Sequence, residues 1–108
     1  LQAQELIDHM RDRRRPMVVM GDFNAEWSEE NTAVKMIADN LGLSAYQPQA
    51  QGQGTFASNG KRLDWVLISP GLEFREYQVM SDTVSDHRGV IAELGLNSRL
   101  VRNDYVNQ

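Results

Sequence analysis

Three short polar clusters stand at the ends of apolar runs: Gly21-Asp22-Phe23-Asn24-Ala25, Arg62-Leu63-Asp64-Trp65 and Ser85-Asp86-His87-Arg88-Gly89. In the first, the two-residue period of an extended chain points Asp22 and Asn24 to one side and turns Phe23 back toward the core, provided strand geometry persists past Met20. A carboxylate and an amide facing one crevice can hold a water, a phosphate oxygen or a hard cation, because oxygen ligands suit Mg²⁺, Mn²⁺ and Ca²⁺. Gly, Asp and Asn are also the commonest turn formers, so this cluster by itself reads first as a plain turn.

The second cluster places an acid at the start of a strand that otherwise looks fully buried, where an unpaired charge is costly. Asp64 therefore needs a partner, either an ordinary cation such as Lys61 or Arg62 or a functional group elsewhere. In the third, a His stands beside carboxylates and leads directly into an apolar strand. Such a His is easily held cationic or used as a proton carrier near neutral pH, and Asp86 is the natural metal ligand beside it. On its own, this cluster reads first as a hydrogen-bonded turn before a strand.

The elements that must position these clusters are legible from hydrophobic period. Ala3, Leu6, Ile7 and Met10 follow helical spacing, with His9 on another side, and that helix ends before Pro16. Met17-Val18-Val19-Met20 is a continuous apolar run stopped by Gly21, which predicts a central strand covered on both faces. Ser28-Glu29-Glu30 offers an N-cap and first-turn acids for a second helix, whose stripe is Val34, Ile37, Ala38 and Leu41 before Gly42. Residues 47–60 are rich in Gln, Gly, Ser and Asn and read as an exposed loop interrupted by Thr55-Phe56. Leu63–Ile68 predicts a second central strand, closed by a Pro70-Gly71 turn. A change of phase between Leu72 and Met80 predicts a bulge or an edge strand, and Val90, Ala92, Leu94 and Leu96 alternate as a last strand.

The chain has 108 residues, 41% of them hydrophobic and 24% charged, which suits one compact core. No stretch approaches the twenty apolar residues that span a bilayer. The absence of cysteine removes disulfide frameworks and thiolate metal sites. A net charge of −4 argues against a broad basic footprint and mildly against a nuclease that grips long duplex DNA. The run Arg11, Arg13, Arg14 and Arg15 falls at a helix end, where cations favour the negative pole of the macrodipole.

Taken together and in order, the clusters resemble the endonuclease/exonuclease/phosphatase, or deoxyribonuclease I-like, family. Gly21-Asp22-Phe23-Asn24 is similar to its GDFN motif, Thr55-Phe56 to its TF or TW element, Arg62-Leu63-Asp64-Trp65 to its R-(I/L)-D-(Y/W) strand, and Ser85-Asp86-His87 to its terminal SDH. The resemblance implies metal-assisted hydrolysis of a phosphate ester, in which Asp22 orients or deprotonates the attacking water and Asn24 holds the nucleophile or a phosphate oxygen. His87 then contacts the scissile phosphate, with Asp64 bonded to its other ring nitrogen. Asp86, with Asp22 and Asn24, is implied to bind a divalent cation, Mg²⁺ before Mn²⁺.

The resemblance also implies an α/β (α+β) fold, a four-layer sandwich of which this chain supplies the carboxyl-terminal half: one mostly antiparallel mixed sheet with helices on one face. Residues 1–96 are expected to form that half and 97–108 a polar, poorly ordered tail. A bare sheet face calls for a partner, either an amino-terminal half or a second copy of the chain. The substrate expected is a phosphoester, in a nucleic acid, a phospholipid head group or a small molecule. The alternative is a catalytically silent half-domain that serves binding or assembly.

Overall fold

The computed structural model describes residues 2–83 and 85–97, apart from the side chains of Gln2, Asp82 and Thr83. The polar tail expected from 97 onward therefore lies, beyond Asn97, outside the described residues. The order of elements is α1 (Gln2–Met10), β1 (Val18–Asp22), α2 (Ala33–Leu41), β2 (Ser44–Ala45), β3 (Asp64–Ile68), β4 (Leu72–Thr83) and β5 (Arg88–Leu96). This is the expected α+β architecture with antiparallel pairing and few helices. Among the described residues, no helix is long and apolar enough to cross a membrane.

α1 is amphipathic, with Ile7 wholly buried and Ala3 and Leu6 packed against the core. α2 begins later than the acidic run suggests. Its N-cap is Thr32, in extended conformation, and the Thr32 hydroxyl accepts the amide of Lys35. Ser28-Glu29-Glu30 instead belongs to a turn in which the Glu29 carboxylate accepts the amide of Glu26. Asn31, at φ 58°, lies in the left-handed region and cannot extend the helix upstream of Thr32. At the other end Gly42, at φ 66°, takes the left-handed cap conformation and donates to the Ala38 carbonyl.

β1, β3 and β2 form one antiparallel sheet with β3 in the middle. β3 is central as expected, but β1 is an edge among the described residues. Its register pairs Val18 with Ile68, Val19 with Leu67, Met20 with Val66, Gly21 with Trp65 and Asp22 with Asp64. Because successive side chains alternate, Val19, Trp65 and Leu67 face the helices and join Ile7, Val34, Ile37, Ala38 and Leu43 in the core. Each such large side chain contributes about 1.5–3 kcal/mol on full burial. The Trp65 indole N–H is satisfied by the Ala25 carbonyl at 2.9 Å. The opposite face is open: Met20 is 68% exposed and Val18 36%.

The strands around Val18, Leu67 and Ala92, expected in one sheet, are divided. β4 and β5 pair with each other as a separate hairpin, whose register shifts between Phe74 and Glu76 and again between Val79 and Thr83. The first of these shifts is the change of phase visible in the sequence between Phe74 and Tyr77, and the second was not expected. Two features tie it to the sheet. One is a bridge between Phe56 and His87, flanked by a bond from the Arg88 amide to the Thr55 carbonyl. The other is Arg62, 6% exposed, whose guanidinium lies 4.1 Å from the Trp65 ring and donates to the Tyr46 and Gln47 carbonyls and the Tyr77 hydroxyl. At the base of the loop before β3, Gly54 lies so close to Gly60 that a Cβ there would collide with the Gly60 carbonyl.

Candidate active site

On the open face of the β1–β3 ladder, the apolar pairs Val18/Ile68 and Met20/Val66 give way to an acidic one, Asp22 opposite Asp64. Two carboxylates directly across an antiparallel pair repel, so the position needs a cation or a proton. His87, at the entrance to β5, supplies it. Its Nδ1 lies 2.7 Å from Asp64 Oδ2, a hydrogen bond that the ring nitrogen donates, and its Nε2 lies 3.4 Å from Asp22 Oδ2. The partner that Asp64 requires is thus His87, while Arg62 is engaged by carbonyls and aromatic rings.

The imidazole is held from several sides. The Ser85 hydroxyl accepts the His87 amide, and the Phe56 ring stands edge-on to it at a centroid distance of 5.2 Å. The hydrogen bond to Asp64 raises the His87 pKa above its ordinary 6.5, partial burial opposes the rise, and the charges of Asp64, Asp22 and Asp86 add to it. The protonated ring is thus held more firmly than in a free histidine, beside an exposed carboxylate. With side chains 29% and 48% exposed, His87 and Asp22 are open to a solute from that side, whereas Asp64, at 24%, stands behind the ring.

Asn24 does not follow the extended period that points it alongside Asp22. The strand ends at Asp22, the Phe23 amide still bonds to the Leu63 carbonyl, and Asn24 then turns at φ 52° with its amide donated to Asp22 Oδ1. The carboxylate of Asp22 closes its own turn, so this segment is at once a strand end and a turn. Phe23 packs on the core as expected.

Asp22, Asp64 and His87 offer ligand atoms that all lie within 4.8 Å of one another. Carboxylate oxygens suit a hard divalent cation, and exposed Asp22 is free to meet one; Asp64 is less so, because its Oδ2 already accepts from Nδ1. Asp86 is exposed and is not one of the three, though its charge reaches His87 and its carbonyl accepts the Ala57 amide. Arg62 and Thr55, which the sequence marks as parts of short motifs without giving them a role at the site, are both buried and hydrogen-bonded. A cation next to a strand of buried residues and a hydroxyl inside a polar loop were the available signals.

Comparison with known proteins fits this geometry. The sequence profile described as the Endonuclease/Exonuclease/phosphatase family matches residues 1–87. UPF0294 proteins of Vibrio cholerae serotype O1, from strains Classical Ogawa 395 and El Tor Inaba N16961, are each 32% identical over 92 residues. Those matches cover 84% of this chain and 32% of the relatives, so the chain spans about a third of their length. Among solved structures, the mannosyl-6-phosphatase of Bacteroides thetaiotaomicron VPI-5482 is similar in fold, with a TM-score of 0.66, 21% identity, and coverage of 86% of this chain and 42% of that one. With a profile match that runs from the first residue through His87, the chain belongs to the endonuclease/exonuclease/phosphatase family.

Proposed function

We propose that this chain carries the proton-handling side of a metal-dependent phosphoester hydrolase, acting as part of a larger catalytic domain. The observation that carries the reading is the row Asp64, His87, Asp22, with the imidazole 2.7 Å from one carboxylate and 3.4 Å from the other. In this reading Asp22 accepts a proton from the attacking water and Asn24 holds that water or a phosphate oxygen. His87 meets the phosphoryl charge with Nε2, and Asp64 keeps the ring in the tautomer and orientation that allow it. Asp22 and Asp86, with Asn24 beside them, would hold the divalent cation, Mg²⁺ in the first place and Mn²⁺ in the second. When bound, that cation supplies charge neutralisation at the phosphate and the leaving oxygen.

The test is hydrolysis of bis(p-nitrophenyl) phosphate and p-nitrophenyl phosphate by the full-length protein, with added Mg²⁺ and with chelator. Asp22→Asn and His87→Ala should each lower turnover by roughly 10²–10⁴, with folding intact, and chelation should abolish it. Near-normal turnover in either variant removes that residue from the site.

A second reading is favoured by the exposure of Met20 at 68% and Val18 at 36%, neighbouring apolar side chains on the open face of β1. In it the chain is catalytically silent and buries its open face against a partner, whether an amino-terminal half or a second copy. Sizing of the 108-residue chain separates a self-paired dimer from a monomer.

A further inference from the structure

We infer that Thr55 is a positioning residue for the Asp64–His87 pair, its side-chain hydroxyl holding the Asp64 end of β3 while its main-chain carbonyl holds the segment that carries His87.

Thr55 is wholly buried within a loop that is otherwise largely polar and solvent-facing. A hydroxyl in such a place must be bonded, and this one accepts two backbone amides, from Leu63 at 3.0 Å and Asp64 at 3.1 Å. Those amides open the strand: Leu63 precedes β3, and Asp64 is its first residue. The Thr55 carbonyl accepts the Arg88 amide at 2.6 Å, and the neighbouring Phe56 bridges to His87 and sets its ring against the imidazole.

Asp64 opens β3 and His87 immediately precedes β5, which lies in the other sheet, so ladder bonds do not fix one against the other. Thr55-Phe56 touches both. The loop is itself fastened, since the amides of Thr55 and Phe56 donate to the Lys61 carbonyl at 2.9 Å. One two-residue element therefore sets the spacing across which the 2.7 Å hydrogen bond is made. A hydrogen bond of that length is lost when its partners drift by an ångström, and misplacement of that order costs on the order of 10²-fold in rate.

The test replaces the hydroxyl and keeps the shape. In the ¹⁵N-labelled full-length protein, the ring Nδ1–H of His87 should give a slowly exchanging downfield proton signal. Thr55→Val should retain a native-like amide spectrum but lose that signal, and should lower kcat on bis(p-nitrophenyl) phosphate by about 10–100-fold with KM within about twofold. Thr55→Ser, which keeps the acceptor, should restore both. Persistence of the signal and of kcat in the Val variant overturns the inference, and so does failure of the Ser variant to restore them. If the Val variant does not fold, amide exchange in the unaltered protein decides: protected Leu63 and Asp64 amides support the clamp, and freely exchanging ones overturn it. The kcat measurement rests on the hydrolase reading above, whereas the proton signal and the amide exchange do not. An unaltered protein that hydrolyses neither probe, with a signal lost only in the Val variant, sinks the hydrolase reading and leaves the clamp standing.

Discussion

The two faces of the β1–β3 ladder are made from alternate residues of the same two strands, yet they end differently. Toward the helices, the row runs from Val19 and Leu67 to Gly21 and Trp65, and its last polar atom, the indole N–H, is answered within the core by Ala25. Away from the helices, the row runs from Val18 and Ile68 through Met20 and Val66 to Asp22 and Asp64, which share a His from another segment, Asp22 also accepting the Asn24 amide. One face is closed by packing and the other is left to electrostatics at its end. Parity alone assigns a residue to one or the other, so a register slip of one residue would bury the carboxylates and expose Trp65.

The contrast can be broken most forcefully on the helix side. Trp65→Ala should destabilise the protein by about 3–5 kcal/mol in urea denaturation, because it empties the centre of the core and strips Arg62 of the ring beneath it. A loss below about 1 kcal/mol would deny that this face holds the fold. On the open side the effect should depend on what surrounds the chain. Met20→Ala should shift the stability of the 108-residue chain by no more than about 0.5 kcal/mol, but should cost about 2 kcal/mol or more in the full-length protein if the face is covered there. Equal small costs would count against a covering half.

At the acidic end, Asp64→Ala should lower turnover by about 10–100-fold, since His87 loses the group that orients it, with less change in stability than Trp65→Ala produces. The smallest effect is that of pH on the metal-free protein. The folded His87 pKa is raised above 6.5, so the stabilisation it brings is fully present below 6.5 and is lost as pH rises through the folded value. Denaturation midpoints should therefore fall with pH in that window, and Asp64→Asn should flatten the slope.

Much of the frame was legible because burial leaves a period in the sequence. The stripes Ala3–Leu6–Ile7 and Val34–Ile37–Ala38 gave both helices, and the apolar run at β3 gave its central place. Other features follow from interactions that a period does not encode. The start of α2 moved from Ser28 to Thr32 because a left-handed Asn31 intervenes, and β1 became an edge because pairing on its outer side has no counterpart among the described residues. Asn24 left the expected direction because the Asp22 carboxylate captured its amide. The approach of Asp64 to His87, 23 positions apart, was expected from family resemblance and from no spacing rule.

The close pass of Gly54 over Gly60 has a consequence for variation. With Thr55 and Phe56 bonded to Lys61 and the Gly60 amide bonded to Phe56, the loop is knotted at its root, and Ala57 is tied to Asp86. Ser58 and Asn59 form the exposed tip, with the Asn59 side chain accepting the Lys61 amide. Extra residues inserted there would grow outward beside the mouth of the site without displacing Asp64 or His87. Length changes at this tip would thus alter the surroundings of His87 at small thermodynamic cost, on an unaltered scaffold.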